Sequence, residues 1–193
     1  MHKILKPTNI TPDSSLKYID SDTDDGLILS LPVKNDIDWI GIFKKGSHKI
    51  TQIIALSDSE YFILSNGLLY LVDTILNTVK RSEIEYNDSK FLNGIFFLST
   101  HSAIDIYSSF KLIKTIIIDD IDGIIFKKVK NSRLQGLMRQ IDDRIPNDWI
   151  TFSIHISSFD FECDRGRSWT EKTLINDHYK IDYLTMDLKN VNR

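Results

Sequence analysis

The segment YFILSNGLLYLVDTILNTVKRSEI, residues 61–84, predicts three short strands joined by two tight turns. The first turn contains Asn66-Gly67, a pair that accepts the positive φ angles that short hairpins need. The second turn begins at Asp73 and contains Asn77, which tolerates the left-handed conformation better than most residues do. The chain repeats variations on this unit, so we expect an all-β protein, an antiparallel meander of small sheets with little helix.

Short apolar runs bounded by turn residues predict further strands on both sides of this segment. These predicted strands span 3–5 at a sheet edge, 26–33, 39–44, 49–56, 95–98, 103–107, 124–126 and 159–163. Lys45-Gly46-Ser47 separates two of them and predicts a second hairpin. Residues 1–25 are polar, and residues 164–193 form a polar tail in which we expect a short helix and a final strand.

The run Lys111–Ile118, KLIKTIII, is strongly β-branched. Residues of this kind favour strands, and a near-continuous apolar run is typical of a strand whose two faces are both covered. We therefore expect a central strand here that is buried on both faces.

Residues 131–143 and 149–156 predict a hairpin, although the first segment is ambiguous. Four apolar residues between 134 and 141 have helical spacing, but Gly136 at the centre would cost a helix about 1 kcal/mol. Residues 149–156 alternate between apolar and polar, as a half-buried strand does. We prefer a strand over 134–141 that pairs with 149–156, and a helix is the alternative.

The 193-residue chain has 41% hydrophobic and 26% charged residues, a balance that can bury a core. We expect one β-rich domain spanning 1–193. The net charge of −3 disfavours a nucleic-acid partner, because surfaces that bind nucleic acid are basic. Cys163 is the only cysteine, the first residues lack an apolar signal core, and no run of about 18 apolar residues occurs. A cytoplasmic protein without membrane contact is therefore expected.

The sequence contains no recognised catalytic or metal-binding signature, and we expect no cofactor. The five histidines are scattered without zinc spacing, and the eight glycines do not form a phosphate-binding loop. Asp160 and Glu162 could pair as glycosidase carboxylates, but their alternation with phenylalanines is typical of a half-exposed strand. His155 is interpreted as a structural or surface histidine.

Leu71-Val72-Asp73-Thr74 with Asn77-Thr78-Val79 resembles the strand–turn–strand of a β-propeller repeat. The hairpin within residues 134–156 is similar to hairpins in small bacterial propeller-like proteins, which include immunity proteins encoded beside secreted toxins. The resemblance covers roughly half of the chain and implies blade-like sheets, either open or barely closed into a ring. It also implies a binding scaffold and brings no catalytic residues with it.

Several turns are acidic, and one group of them lies within residues 119–143. The acidic residues that we select there as a partner-binding surface are Asp119, Asp120, Asp122, Asp142 and Asp143. Ordinary solvated loops would have the same composition. If these turns gather at one end of the sheets, their charge would steer a basic partner toward that end. Trp149, or alternatively Trp39, would then be an aromatic anchor.

The first functional hypothesis is therefore a non-enzymatic bacterial immunity protein of the cytoplasm, of the kind used in contact-dependent inhibition. Its partner would be a cognate toxin domain encoded by the adjacent gene. A nuclease fits the acidic loops, because its cleft must be basic to hold phosphates. A non-catalytic propeller-like scaffold with another partner is the first alternative, and a small carboxylate-dependent hydrolase is the second.

Overall fold

The computed structural model describes residues 2–6, 16–20, 25–33, 37–141, 149–163, 168–175 and 178–185. Within these ranges the chain is all-β and contains no helix, which confirms the predicted fold class. It follows that no helix of the described ranges is long and apolar enough to cross a membrane. The chain divides into two compact units, Met1–Tyr86 and Asn87–Arg193. The assignment of residues 1–193 to one domain stays a prediction.

The first unit contains two four-stranded sheets. Sheet A has the order β1-β3-β4-β2 and consists of β1 (Lys3–Leu5), β2 (Leu16–Ile19), β3 (Leu27–Leu31) and β4 (Trp39–Phe43). Sheet B has the order β5-β6-β7-β8 and consists of β5 (Gln52–Ala55), β6 (Glu60–Ser65), β7 (Leu68–Asp73) and β8 (Thr78–Glu85). The predicted edge strand β1 is confirmed. The pairing of β2 with β4 is parallel, so the expectation of an antiparallel meander is wrong for this pair.

The second unit contains sheets C and D. Sheet C has the order β18-β17-β12-β11-β10-β9 and consists of β9 (Asp88–Leu92), β10 (Ile95–Ser99), β11 (Ala103–Ser108), β12 (Lys111–Ile118), β17 (Ser168–Ile175) and β18 (His178–Thr185). Sheet D has the order β13-β14-β15-β16 and consists of β13 (Ile121–Lys130), β14 (Arg133–Gln140), β15 (Trp149–His155) and β16 (Phe161–Cys163). Sheets B and D are therefore simple four-stranded antiparallel meanders.

The turns of residues 61–84 form as their chemistry predicts. Asn66 and Gly67 have φ angles of 50° and 97°, and they join β6 to β7 in a two-residue hairpin. Asn77 has a φ angle of 51°, and the carboxylate of Asp73 accepts the backbone N–H groups of the next turn residues, Ile75 and Leu76. Both turns are thus specified by local side chains.

Aromatic rings fill the core of the first unit. The Phe43 and Tyr70 ring centroids lie 5.0 Å apart, and Tyr18 packs against both rings. The Tyr70 hydroxyl donates to the buried Asp20 carboxylate at 2.6 Å, and the Arg81 guanidinium donates to the same carboxylate at 2.9 Å. Burial and the hydrogen bond to Asp20 raise the pKa of Tyr70. This polar group ties the end of β2 to sheet B.

Strand β12 has a central position in sheet C, as predicted, but its burial alternates. Ile116 and Ile118 are fully buried, whereas Ile117 between them is half-buried. The prediction of burial on both faces is therefore only partly right. Lys114 is also buried, and its ammonium lies 2.6 Å from the Glu171 carboxylate of the neighbouring strand β17. A buried cation of this kind needs its partner.

The predicted hairpin of β14 and β15 is confirmed over the helical alternative. Leu134 lies opposite Ile154 and Met138 opposite Ile150, and all four are buried. Gly136 lies opposite Phe152, and a Cβ atom at this glycine would stand 2.3 Å from the Phe152 ring. The glycine is thus required by a close approach of the ring and not by its φ angle.

Two other predictions are wrong. Lys45-Gly46-Ser47 does not form a hairpin, because β4 and β5 belong to different sheets. Gly46 instead donates its N–H to Ser65, and a Cβ atom there would lie 2.5 Å from the Asn66 carbonyl oxygen. The C-terminal residues form the two strands β17 and β18 where a short helix and a strand are expected, because β17 pairs with β12.

Candidate binding surface on sheet D

The acidic residues selected from the sequence differ in exposure and in pairing. Asp119 and Asp120 are exposed in the turn between β12 and β13, and Asp120 has a φ angle of 57°. Asp122 accepts hydrogen bonds from Arg139 at both its carboxylate and its carbonyl oxygen, and it lies 3.3 Å from the His101 ring. Asp142 and Asp143 lie outside the described residues. Among the described residues of this group, Asp119 and Asp120 are therefore the exposed acids.

Trp149 lies at the same end of sheet D as these turns. It is directly opposite Arg139 in the β14–β15 register and is 40% exposed. The other proposed anchor, Trp39, is only 2% exposed, and its ring N–H donates to Asn77 in the first unit. Trp39 is therefore a core residue, and Trp149 is the tryptophan that a partner could reach.

The face of sheet D that carries Trp149 is called the outer face here. It is the face opposite to the apolar side chains of the second unit's core. In the register of the strands its side chains form four cross-strand rows: Arg139 and Trp149, with Asp122 hydrogen-bonded to Arg139; Ile125, Leu137 and Thr151; Lys128, Gln135, Ser153 and Glu162; and Lys130, Arg133 and His155. These positions are half-buried or exposed throughout.

A depression of about 630 Å³ lies in the outer face. Its lining combines apolar, hydroxyl, amide and charged groups and includes Lys128, Gln135, Leu137, Thr151, Ser153 and Glu162. Ile125 beside it is 37% exposed. The depression therefore presents apolar side chains among hydrogen-bonding groups, a mixture that protein interfaces share with the rest of a protein surface.

The charges of the outer face are paired unevenly. Arg133 lies 2.9 Å from the Glu162 carboxylate and donates to Ser153, and Arg139 pairs with Asp122. Within the described part of the chain, Lys128 and Lys130 form no ion pair. With Lys127, which also lines the depression, the face carries five cations and two carboxylates, a formal charge of 5 − 2 = +3 on a chain whose net charge is −3.

Other polar side chains of the second unit stabilise its turns and strands. His155 accepts the N–H of Ser158 at its Nδ1 atom and so closes the turn after β15, which agrees with its interpretation as a structural residue. Trp169 donates to Glu171, the partner of Lys114. The described residues contain no group of three or more metal-binding side chains.

The carboxylate pair that a hydrolase would use is not assembled in the depression. Glu162 is the one carboxylate among the described residues that line it. Asp160 accepts a hydrogen bond from Ser158 in the turn before β16. A glycosidase needs two carboxyl groups about 5–10 Å apart across the substrate bond, and the described lining of the depression supplies one of them.

The first unit has an exposed apolar patch of its own. Ile37, Ile75 and Leu76 are 69%, 71% and 71% exposed, and Ile37 and Ile75 line a small depression of about 210 Å³. The two β7–β8 turn residues are held by Asp73, so the turn presents them in a defined conformation. This patch is the alternative candidate for a partner-binding surface among the described residues.

Sequence reasoning missed most of the outer face. Lys128 and Lys130 appear in the sequence only as neighbours of an acidic turn, and Gln135 and Thr151 carry no motif. The available signal is the alternation of 149–156, which separates a core side from a side that carries Trp149, Thr151 and Ser153. A sheet with one such polar side can bind a partner on it.

Comparison of the chain with models of protein families, with curated proteins and with solved structures found no match. The outer face of sheet D therefore has to be interpreted from its own geometry and charge.

Proposed function

We propose that the protein is a non-catalytic immunity protein that binds and neutralises a cognate bacterial toxin through the outer face of sheet D. The observation that carries this proposal is the exposure of Trp149 and Ile125, with the half-buried Leu137 between them in the register, among charged and hydrogen-bonding groups on a four-stranded antiparallel sheet. Such a face is preorganised, so binding requires little ordering of the backbone. Tryptophan in particular tends to dominate the binding energy of a protein interface.

The charge pattern gives the proposed toxin an orientation. Asp119 and Asp120 lie at the Trp149 end of the face, and a nuclease toxin would place its basic cleft there. The two carboxylates would take the position of substrate phosphates, so that substrate is excluded while the toxin is bound. Attraction between these groups speeds the encounter more than it strengthens the complex.

The test is co-purification of the protein with the product of the adjacent gene, followed by binding kinetics. Trp149→Ala should raise the dissociation rate, with a loss of at least about 2 kcal/mol that marks a central anchor. Leu76→Ala is the matched control, because it removes an exposed apolar side chain from the first unit. A loss with Leu76→Ala and none with Trp149→Ala would move the binding site to the first unit.

The acidic end has its own test. Asp119→Asn with Asp120→Asn removes two charges and keeps a residue that tolerates the positive φ angle of Asp120. Association with the toxin should slow at low salt, and the difference should shrink as salt screens charges beyond about 8–10 Å. Asp58→Asn with Glu83→Gln removes the same charge from exposed positions of the first unit and should change little.

A non-catalytic scaffold that binds a different partner is the alternative outcome. It would use the same face, so Trp149→Ala would weaken its binding as well. The two functions separate when the adjacent gene product is tested: failure to bind any toxin domain encoded there would favour the scaffold.

A further inference from the structure

We infer that the outer face of sheet D binds an extended acidic segment of its partner, with carboxylates placed over Lys128 and Lys130. This inference rests on the proposed function and adds the chemistry of a second contact. The sequence predicts only the opposite contact, in which acidic loops of this protein meet a basic partner.

The charge pairing of the face leads to this assignment. Arg133 is neutralised by Glu162 and Arg139 by Asp122, so neither arginine attracts a partner strongly. Lys128 and Lys130 are exposed, and within the described residues no carboxylate pairs with them. Together with Lys127, which also lines the depression, these ammonium groups concentrate positive charge on β13 and attract an anion.

The spacing of the lysines favours an extended ligand. Lys128 and Lys130 are two positions apart on β13, so their Cα atoms are separated by roughly 6.6–6.8 Å. Acidic residues at alternate positions of an extended peptide have the same separation. Gln135, Thr151 and Ser153 line the depression together with Lys128 and supply hydrogen-bonding groups for the peptide backbone.

Lysines on an edge strand also have a protective role, because they discourage the addition of further strands. Strand β13 is an edge strand of sheet D and already has two irregularities in its pairing with β14. Irregularities of this kind protect an edge without help from charge. Protection alone also gives no reason for the depression that begins beside Lys128.

The experiment uses a defined probe with the intact protein. A ten-residue peptide of alternating Thr and Glu, labelled with an uncharged dye, is titrated by fluorescence anisotropy at low salt. We expect saturable binding that Lys128→Glu with Lys130→Glu weakens by at least about tenfold. Lys49→Glu with Lys80→Glu, at exposed positions of the first unit, is the matched control and should change the affinity less than about twofold.

The control ligands decide the chemical class of the partner. A peptide of alternating Thr and Lys should not bind, and a ten-nucleotide oligothymidine should bind more weakly than the acidic peptide. Tighter binding of the oligothymidine that is lost in the same double variant would overturn the acidic-segment assignment in favour of a nucleic acid. Equal binding of the acidic peptide to both double variants would overturn it as well.

A second double variant and a second measurement distinguish a loss of binding from a loss of folding. Lys128→Gln with Lys130→Gln introduces no like charges and should weaken peptide binding by a smaller factor, with an unchanged circular dichroism spectrum. Failure of the peptide to bind would refute this inference alone, whereas failure of the adjacent gene product to bind the wild-type protein would refute the proposed function.

Discussion

Gly136→Ala should destabilise the second unit although alanine is usually the better residue within a regular element. The new Cβ atom would lie 2.3 Å from Cζ of Phe152 and 2.5 Å from the carbonyl oxygen of Ile125. The ring has little room in a packed core, and the carbonyl belongs to the backbone of β13. Overpacking of this kind costs about 1–3 kcal/mol, and the loss of unfolded-state entropy offsets about 0.4–1 kcal/mol of it.

The midpoints of these two ranges give a net loss of about 1.3 kcal/mol, and for a unit of about a hundred residues each kcal/mol lowers the melting temperature by about 4–8 °C. The measurement is thermal and urea unfolding of the wild-type protein and variants. Gly94 provides the comparison, because it has a φ angle of +80° and nothing within 4 Å of its Cβ position. There only the backbone conformation is strained.

The stability loss caused by Ala and by Asn should therefore follow opposite orders at the two glycine positions. At Gly136 Asn is larger than Ala and should cost more. At Gly94 Asn tolerates a positive φ angle and should cost less than Ala. A Gly136→Ala protein as stable as the wild type, or the same ranking at both positions, would refute the close approach of Phe152.

Three further substitutions test other parts of the fold. Ile116→Asp should abolish soluble expression because it buries an unpaired carboxylate. Ile117→Asp, at a half-buried position, should give soluble protein of reduced stability. Equal outcomes for the two variants would contradict the alternating burial of β12. Asp20→Asn should cost the first unit about 1.5–3 kcal/mol in urea unfolding, because a charged hydrogen-bond acceptor is lost; an unchanged midpoint would show that the group is not stabilising. Burial raises the pKa of Asp88 above its ordinary value, although hydrogen bonds from backbone N–H groups oppose the shift, so its ionised form disfavours folding. This penalty on the wild-type protein should therefore shrink as the pH falls through the folded-state pKa to the ordinary value, and Asp88→Asn should abolish this part of the pH dependence of urea unfolding; a penalty that grows in acid would reverse the sign of this argument.

The parts of the fold that the sequence predicts are those specified locally. Asn66-Gly67 forms the predicted two-residue hairpin turn, because the pair itself supplies the positive φ angles. The pairing of β14 with β15 follows from the alternation of the second strand and from Gly136. In each case the residues that decide the structure lie within the hairpin.

The predictions that are wrong concern structure that depends on residues distant in the sequence. Gly46 looks like a turn glycine, but it is needed because the Asn66 carbonyl lies against it. The tail forms strands because β17 finds the open edge of β12 about fifty residues earlier in the chain. The candidate site has the same limit, since the loss of free charge at Asp122 depends on Arg139, which β14 brings to it.

The return of β17 to β12 has a consequence for synthesis on the ribosome. All four strands of sheet D are synthesised before β17 and β18, the last two strands of sheet C. Until then one edge of β12 is unpaired, and Lys114 lacks its ion-pair partner Glu171. The first unit can fold while this happens, because its two sheets are made entirely from residues already synthesised. A nascent chain interrupted after β16 would contain the complete sheet D, with its proposed partner-binding face, beside an incomplete sheet C. The unpaired edge of the isoleucine-rich strand β12 would then be exposed and prone to aggregation.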